Sequence, residues 1–373
     1  MTETDVAALE LGDFDIEETL RSFAQSCSWS FLSSSSTSGA SCSSRPSLEQ
    51  IEAECLRVSS TGSSEGLFWP VPRPMVRERY IVHAFSGRRR FGDFQHFVEE
   101  FQGQYPDFLV HTISLDLMVD PEWGDVSKAP VREFWINAIK QRMVLGGLAG
   151  PPCETWSQAR GKDLAPDTES NGPPFAKGPR VVREIDSLWG KQALALREVR
   201  QLDVGNLLLL FTLEMLLHLA VEGGLGAVEH PAPPADESKA SVWRLPILQL
   251  MASWPEFSTL DIAQGLWGAK SRKPTRLLLL NLPTMIPSLR HWQLTSTIPQ
   301  GTSTGRMANG EWSTSSLKEY APALCAGLAQ GFLSSLQLHA VEAPTEGSEA
   351  FRRQVAHMMI TDHGDCIGPD FAT

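Results

Sequence analysis

The chain holds only six cysteines in 373 residues, and they lie far apart, at 27, 42, 55, 153, 325 and 366. No pair has the short spacing with which thiolates grip zinc, and the acidic N-terminus carries no secretory signal, so a reducing intracellular setting, nucleus or cytoplasm, is expected, without a metal. Long apolar runs are scarce as well. The longest, Leu207 to Val221, includes Glu214 and His218 and falls short of the ~20 residues that span a bilayer; it reads as a buried helix, with no membrane partner. Positive charge is also in deficit, the formal net charge being −12. Residues 1–65, however, hold eleven acidic side chains against three basic ones and carry −8, which leaves −4 for everything else. A near-balanced domain can still turn a basic face to phosphates, so the deficit does not exclude a nucleic-acid partner.

What is present is ample apolar material, 42% of the chain, enough for a large domain with tails. Residues 28–64 are crowded with serine, as in "SSSSTSGASCSS", a composition that cannot bury enough surface to offset chain entropy. The expected organisation is a disordered tail over 1–65 with at most a short helix near Phe14 to Phe23, one domain over 75–340, and a loose tail over 341–373.

Within that domain strand and helix patterns alternate. Strands are expected at Tyr80 to Phe85, in "FLVHTISLDL", in "VLGGLAG" and in "GLGAVEH"; helices at Phe91 to Gln102, in "VREFWINAIKQRM" and at Asn206 to Glu222. This is the pattern of an α/β fold with a doubly wound, mainly parallel sheet and helices on both faces. Ligands of such sheets bind beyond the carboxyl ends of the strands, which directs attention to the residues just after each strand.

After the first strand, "FSGRRRFGD" offers Gly87 and Gly92, which let backbone approach a ligand or simply make a turn. Asp116 ends the second strand, where a carboxylate can take two ribose hydroxyls; a solvated aspartate is the plain alternative. Asp125 comes next, suited to an adenine amine or to capping a helix. The third strand ends in "GPPC", whose prolines stop the strand and stiffen the backbone leading out of it, so Cys153 is presented at the ligand edge, as nucleophilic cysteines are. Glu229 ends the next strand, and carboxylates seldom follow an apolar strand without a partner or a task.

The order of these motifs resembles that of the DNA (cytosine-5) methyltransferase family, most nearly its short bacteriophage members. The likeness runs from about His83 to Leu336 through "FSG", "SLD" with a later "GD", "GPPCETWS", "VEHP", "RKPTRLLLLN" and "YAPALCAGLA". It implies a Rossmann-like methyltransferase fold that binds S-adenosylmethionine, with Phe85, Ser86, Gly87, Gly92 and Pro151 lining the cofactor, Asp116 on its ribose and Asp125 near its adenine. It implies that Cys153 attacks carbon 6 of a cytosine rotated out of its helix, that Glu229 supplies a hydrogen bond or proton at ring nitrogen 3, and that Arg276 steadies the base. The polymer is DNA, with RNA as an alternative, and Arg160, Lys162, Arg180 and Arg183 are candidate phosphate contacts. The chain departs from the family pattern in Glu154 after the cysteine, in "EHP" after the acidic position, in the basic Arg88 to Arg90, and in having only about forty residues between "RLLLLN" and "YAPALC". Two rival readings stand beside it: a methyltransferase-like module without activity that binds nucleic acid within a mobile-element or polymerase-associated protein, and a different thiol enzyme pairing Cys153 with His230. Strand pleating turns Glu229 and His230 to opposite sides, so only one of them should face Cys153.

Overall fold

The computed structural model describes residues 77–157, 160, 179–298 and 319–338. The two tails and Lys162 lie outside the described residues. Six strands, β1 (Arg77–Ala84), β2 (Phe108–Leu115), β3 (Val144–Ala149), β4 (Leu225–Pro231), β5 (Phe257–Ala263) and β6 (Pro274–Leu280), form one sheet in the order β2-β1-β3-β4-β6-β5. The neighbours from β2 to β4 pair in parallel, and β6 runs antiparallel to both β4 and β5. The expected mostly parallel sheet with flanking helices is therefore present, with one reversed strand inside it.

Helices cover both faces. α1 (Phe94–Phe101), α5 (Met285–His291) and α6 (Pro322–Leu338) pack together on one side, and α2 (Ala129–Lys140) with α3 (Leu196–Val221) on the other; a short α4 (Pro246–Ala252) precedes β5. Strands covered on both faces must be apolar throughout, and every residue of β3 is buried. α3 comes unusually close to the sheet because β4 offers a glycine: a Cβ on Gly226 would stand 2.2 Å from Leu216 Cδ1.

Two helix boundaries differ from the sequence expectation for identifiable reasons. α1 starts at Phe94 rather than Phe91 because Gly92 takes φ +78° and Asp93 then caps the helix, its carboxylate accepting from His96 N at 2.8 Å. Phe94 and Val98, on its inner face, are fully buried, each contributing about 1.5–3 kcal/mol of transfer free energy. α3 begins ten residues before Asn206: its first turns, "LREVRQLD", are mostly polar with Leu196 and Val199 exposed, and Glu198 accepts from Ala195 N at 2.9 Å and fixes the start. By length and composition α3 could cross a membrane, but Leu202, Leu209, Phe211, Met215 and Leu219 are buried within the fold, as in a core helix.

Candidate functional site

The strand order reverses between β1 and β3, and the crevice beyond the carboxyl ends at such a reversal is where open α/β sheets bind ligands. The loop leaving β1 enters that crevice with two residues of positive φ, Phe85 at +61° and Gly87 at +71°. Gly87 donates its N–H to Asp116 Oδ2 at 3.0 Å, and Met118 N donates to Asp116 Oδ1 at 2.8 Å. The aspartate thus ties the loop after β1 to the loop after β2. Each of its oxygens accepts one bond and retains a free lone-pair direction. Space beside Gly87 is open, with no atom within 4 Å of a Cβ built there. Phe85 and Ser86 are half-buried beside it, and Pro151 is buried at the end of β3.

Two other residues expected at this place are engaged locally. Gly92 is buried against α6, where an added Cβ would lie 3.0 Å from Pro322 Cβ, so its role is packing. Asp125 Oδ1 accepts from both Ser127 N, at 3.2 Å, and Ser127 Oγ, at 2.5 Å, and its other oxygen lies 3.5 Å from Lys128 Nζ. The basic Arg88 to Arg90 run is absorbed in part: Arg89 pairs with Asp93 at 2.8 Å, and Arg90 reaches Glu319 at 3.0 Å and the Tyr320 carbonyl at 2.6 Å.

One strand further across the sheet the site is built from side chains. Glu229 is buried near the end of β4. Its Oε1 accepts from Gln264 Nε2 at 2.9 Å, lies 3.3 Å from Thr275 Oγ1 and 3.9 Å from Lys273 Nζ; its Oε2 lies 3.4 Å from the Tyr320 hydroxyl. Cys153, four residues beyond β3, is half-buried at the same sheet edge. Its thiol is pushed up to about 11, first by burial and next by the negative charges of Glu229 and Glu154, with Lys273 acting in the opposite direction. Cysteine, glutamate and lysine therefore share one electrostatic environment.

His230 lies on the opposite face of β4 from Glu229, as the pleat requires, and lines the same cleft as Cys153. It is buried between the rings of Trp156 and Trp243, with centroids at 6.3 and 6.5 Å. Burial, reinforced by Arg183, depresses it to about 3, and its Nδ1 has no hydrogen-bond partner among the described residues. An imidazole so held is neutral at any physiological pH and a poor base for a thiol.

Arg276 is not brought to this group. It lies opposite His230 in the β4–β6 ladder, on the sheet face away from Glu229, and makes a bidentate pair with Asp261 at 2.6 and 2.7 Å. The neighbours Lys273 and Thr275 reach Glu229 instead. Two of the arginines expected to meet phosphates, Arg183 and Arg160, brace the cysteine loop. Arg183 is 2% exposed, stacks 3.9 Å over Trp156, and bonds Thr155 Oγ1 at 2.9 Å and Asn206 Oδ1 at 2.8 Å; burial, then the nearby Arg160, lowers it to about 9. A guanidinium with that little surface has none to offer a polymer. Arg160 bonds the Glu154 carbonyl at 2.6 Å and Gln201 Oε1 at 2.7 Å, and Arg180, exposed, lies 3.6 Å from Glu198. Trp156 is buried beneath Arg183, behind the cysteine loop.

A cleft of about 1000 Å³ opens beside Cys153; its lining includes Trp156, His230, Arg272, Lys273 and Arg290, but not Glu229. Gln264, Lys273, Thr275 and Tyr320 are not among the residues to which the sequence motifs point. "RKPTR" and "YAPALC" contain three of them, but nothing local says that they meet Glu229. Set against protein-family models, curated proteins and solved structures, the chain matches none.

Proposed function

We propose that the protein transfers a methyl group from S-adenosylmethionine to carbon 5 of cytosine in DNA, with RNA as the alternative polymer, on a Rossmann-like methyltransferase fold. The observation that carries this reading is the pairing of a thiol and a buried carboxylate from the ends of adjacent parallel strands, each within the other's electrostatic reach. An aspartate and a glycine turn at the sheet's reversal point fit the cofactor: Asp116 retains acceptor capacity for two hydroxyls, and the backbone at Phe85, Ser86 and Gly87 is open to close approach. When bound, S-adenosylmethionine supplies an electrophilic methyl group.

The chain's own residues prepare the base. Carbon 5 of cytosine becomes nucleophilic only after a bond forms between Cys153 Sγ and carbon 6, which moves electron density onto carbon 5 and ring nitrogen 3. Glu229 meets that charge at nitrogen 3 with a hydrogen bond or proton. The thiol proton has the same destination. Moving it to Glu229 removes the negative charge that holds the thiol up, so formation of the thiolate and of the proton donor are one event. After methylation the carbon 5 proton passes to water, its bonding pair restores the carbon 5–carbon 6 double bond, sulfur leaves as the thiolate, and the proton held at nitrogen 3 returns through Glu229 to the thiol.

The second reading, a module that binds cofactor and nucleic acid without turnover, is favoured by a thiol at about 11 and by an arginine, Arg276, turned away from the acid. Transfer of labelled methyl groups to mixed-sequence duplex DNA, single-stranded DNA and RNA separates the two. Label at carbon 5 of cytosine in any polymer supports the enzyme; cofactor binding by calorimetry without label in any of the three leaves the binding module.

A further inference from the structure

Tyr320 stands where three otherwise separate parts of the fold meet. Its hydroxyl lies 3.4 Å from Glu229 Oε2 and occupies the space a side chain at position 150 would fill: a Cβ on Gly150 would come within 2.4 Å of that oxygen. Its ring stacks on His83 of β1 with centroids 6.3 Å apart, and Lys273 Nζ sits 5.4 Å from the ring centroid. Its carbonyl accepts from Arg90 Nη2 at 2.6 Å, and Arg90 belongs to the same loop as Gly87. Glu229 Oε1 is already held by Gln264, whereas Oε2 has only this hydroxyl among the described residues.

We propose that Tyr320 is a positioning residue for Glu229: it fixes the second carboxylate oxygen, and Arg90 sets it from the loop after β1. The proposal rests on the methyl-transfer reading for what Glu229 does, and not for the contact itself. A hydroxyl–carboxylate contact of 3.4 Å exceeds the usual 2.5–3.0 Å, and such bonds tighten when a substrate closes the site. The tyrosine keeps its proton over a wide pH range because burial, the Glu229 charge, and the thiols of Cys325 and Cys153 all raise its ionisation. Together with His83, Arg90 and Lys273 these are the titratable groups that face it, and they leave it a donor throughout.

The chain has only three tyrosines, so phenolate absorbance can follow Tyr320 without any assay of activity. In Glu229→Gln the ionisation of one tyrosine should move to lower pH, since the carboxylate charge and its hydrogen bond to the phenol are both removed. An unmoved titration overturns the proposal whatever the protein catalyses. In methyl transfer, Tyr320→Phe should lower kcat about tenfold at unchanged KM for S-adenosylmethionine, and should cost nothing more when added to Glu229→Gln, the signature of residues acting as a unit. Gly150→Ala, which displaces the hydroxyl while leaving Tyr320 in the chain, should reproduce the kcat loss. Fully additive losses would reduce Tyr320 to a packing residue. A shifted titration in a protein that methylates no polymer would uphold the contact and refute the methyl-transfer reading.

Discussion

The two halves of the sheet edge are built by different means. Beyond β1 and β2 the crevice is mostly backbone: a glycine at positive φ, a loop pinned by Asp116, and open space beside Gly87. Beyond β3, β4 and β6 it is made of side chains that hold one another, with Glu229 gripped by Gln264 and approached by Lys273, Thr275 and Tyr320, and Cys153 responding to their charges. Backbone sites are suited to lying close against a ligand. Buried polar networks hold protons and charges where water cannot screen them. The difference matches a division between holding a cofactor and handling charge on a base.

Acid should have the largest effect and should act on both halves, because His83 of β1 and His230 of β4 are buried and depressed to about 4 and about 3, chiefly by burial. The unfolded chain binds protons on both from about pH 6.5 downward while the folded chain does not, so stability is fully present above 6.5 and is lost as pH falls toward the folded values. Each unit of displacement is about 1.4 kcal/mol. Urea unfolding between pH 7 and 4.5 should show a steep loss that His230→Phe makes shallower; an unchanged slope would mean that His230 is not buried in its neutral form.

Next in size is Asp116→Ala, which should strike the backbone half alone. Two charge-assisted hydrogen bonds to cofactor hydroxyls at roughly 1.5–3 kcal/mol each predict a loss of at least about a hundredfold in S-adenosylmethionine affinity by calorimetry. The midpoint of urea unfolding should change little, and equal affinity in the variant would remove Asp116 from the cofactor site.

A smaller effect links residues within the side-chain half. Glu229→Gln removes the second-largest influence raising the Cys153 thiol, so alkylation of Cys153 at pH 8, mapped by peptide mass, should quicken several-fold. Lys273→Met should slow it. Opposite signs, or no change in either variant, would show that the thiol does not feel this pair.

The smallest expected effect is that of Arg276→Ala. It breaks a pair with Asp261, which is 56% exposed, and exposed pairs contribute about 0–1 kcal/mol. Methyl transfer should be nearly unchanged, and a hundredfold loss would restore Arg276 to the reacting group.

The sequence exposed the backbone half far better than the side-chain half. The first four strands stand where periodicity puts them, and the glycine and aspartate of the first two loops stand out because their chemistry is local. Cys153 and Glu229 are also readable, each at the end of an apolar run. The partners of Glu229 are not, since Gln264 and Tyr320 lie 35 and 91 residues away along the chain and their meeting is a product of tertiary packing. Within "KPTR" the eye goes to the arginine, but the antiparallel register of β6 against β4 turns Thr275 toward Glu229 and Arg276 away, and that register has no signature in either strand. Arg183 misleads in the same way: it reads as a surface cation, and its burial depends on Trp156 and Thr155, nearly thirty residues earlier.

If Cys153 bonds to carbon 6 of a cytosine, nucleic acid containing 5-fluorocytosine should capture the protein covalently in the presence of S-adenosylmethionine. Fluorine at carbon 5 cannot leave as a proton does, so elimination stalls and the adduct persists. A denaturation-resistant complex should form on duplex DNA, single-stranded DNA or RNA, with the crosslink mapped to Cys153 and no complex from Cys153→Ser. Absence of any adduct on all three polymers, in protein shown to bind the cofactor, or an adduct that survives Cys153→Ser, would contradict it.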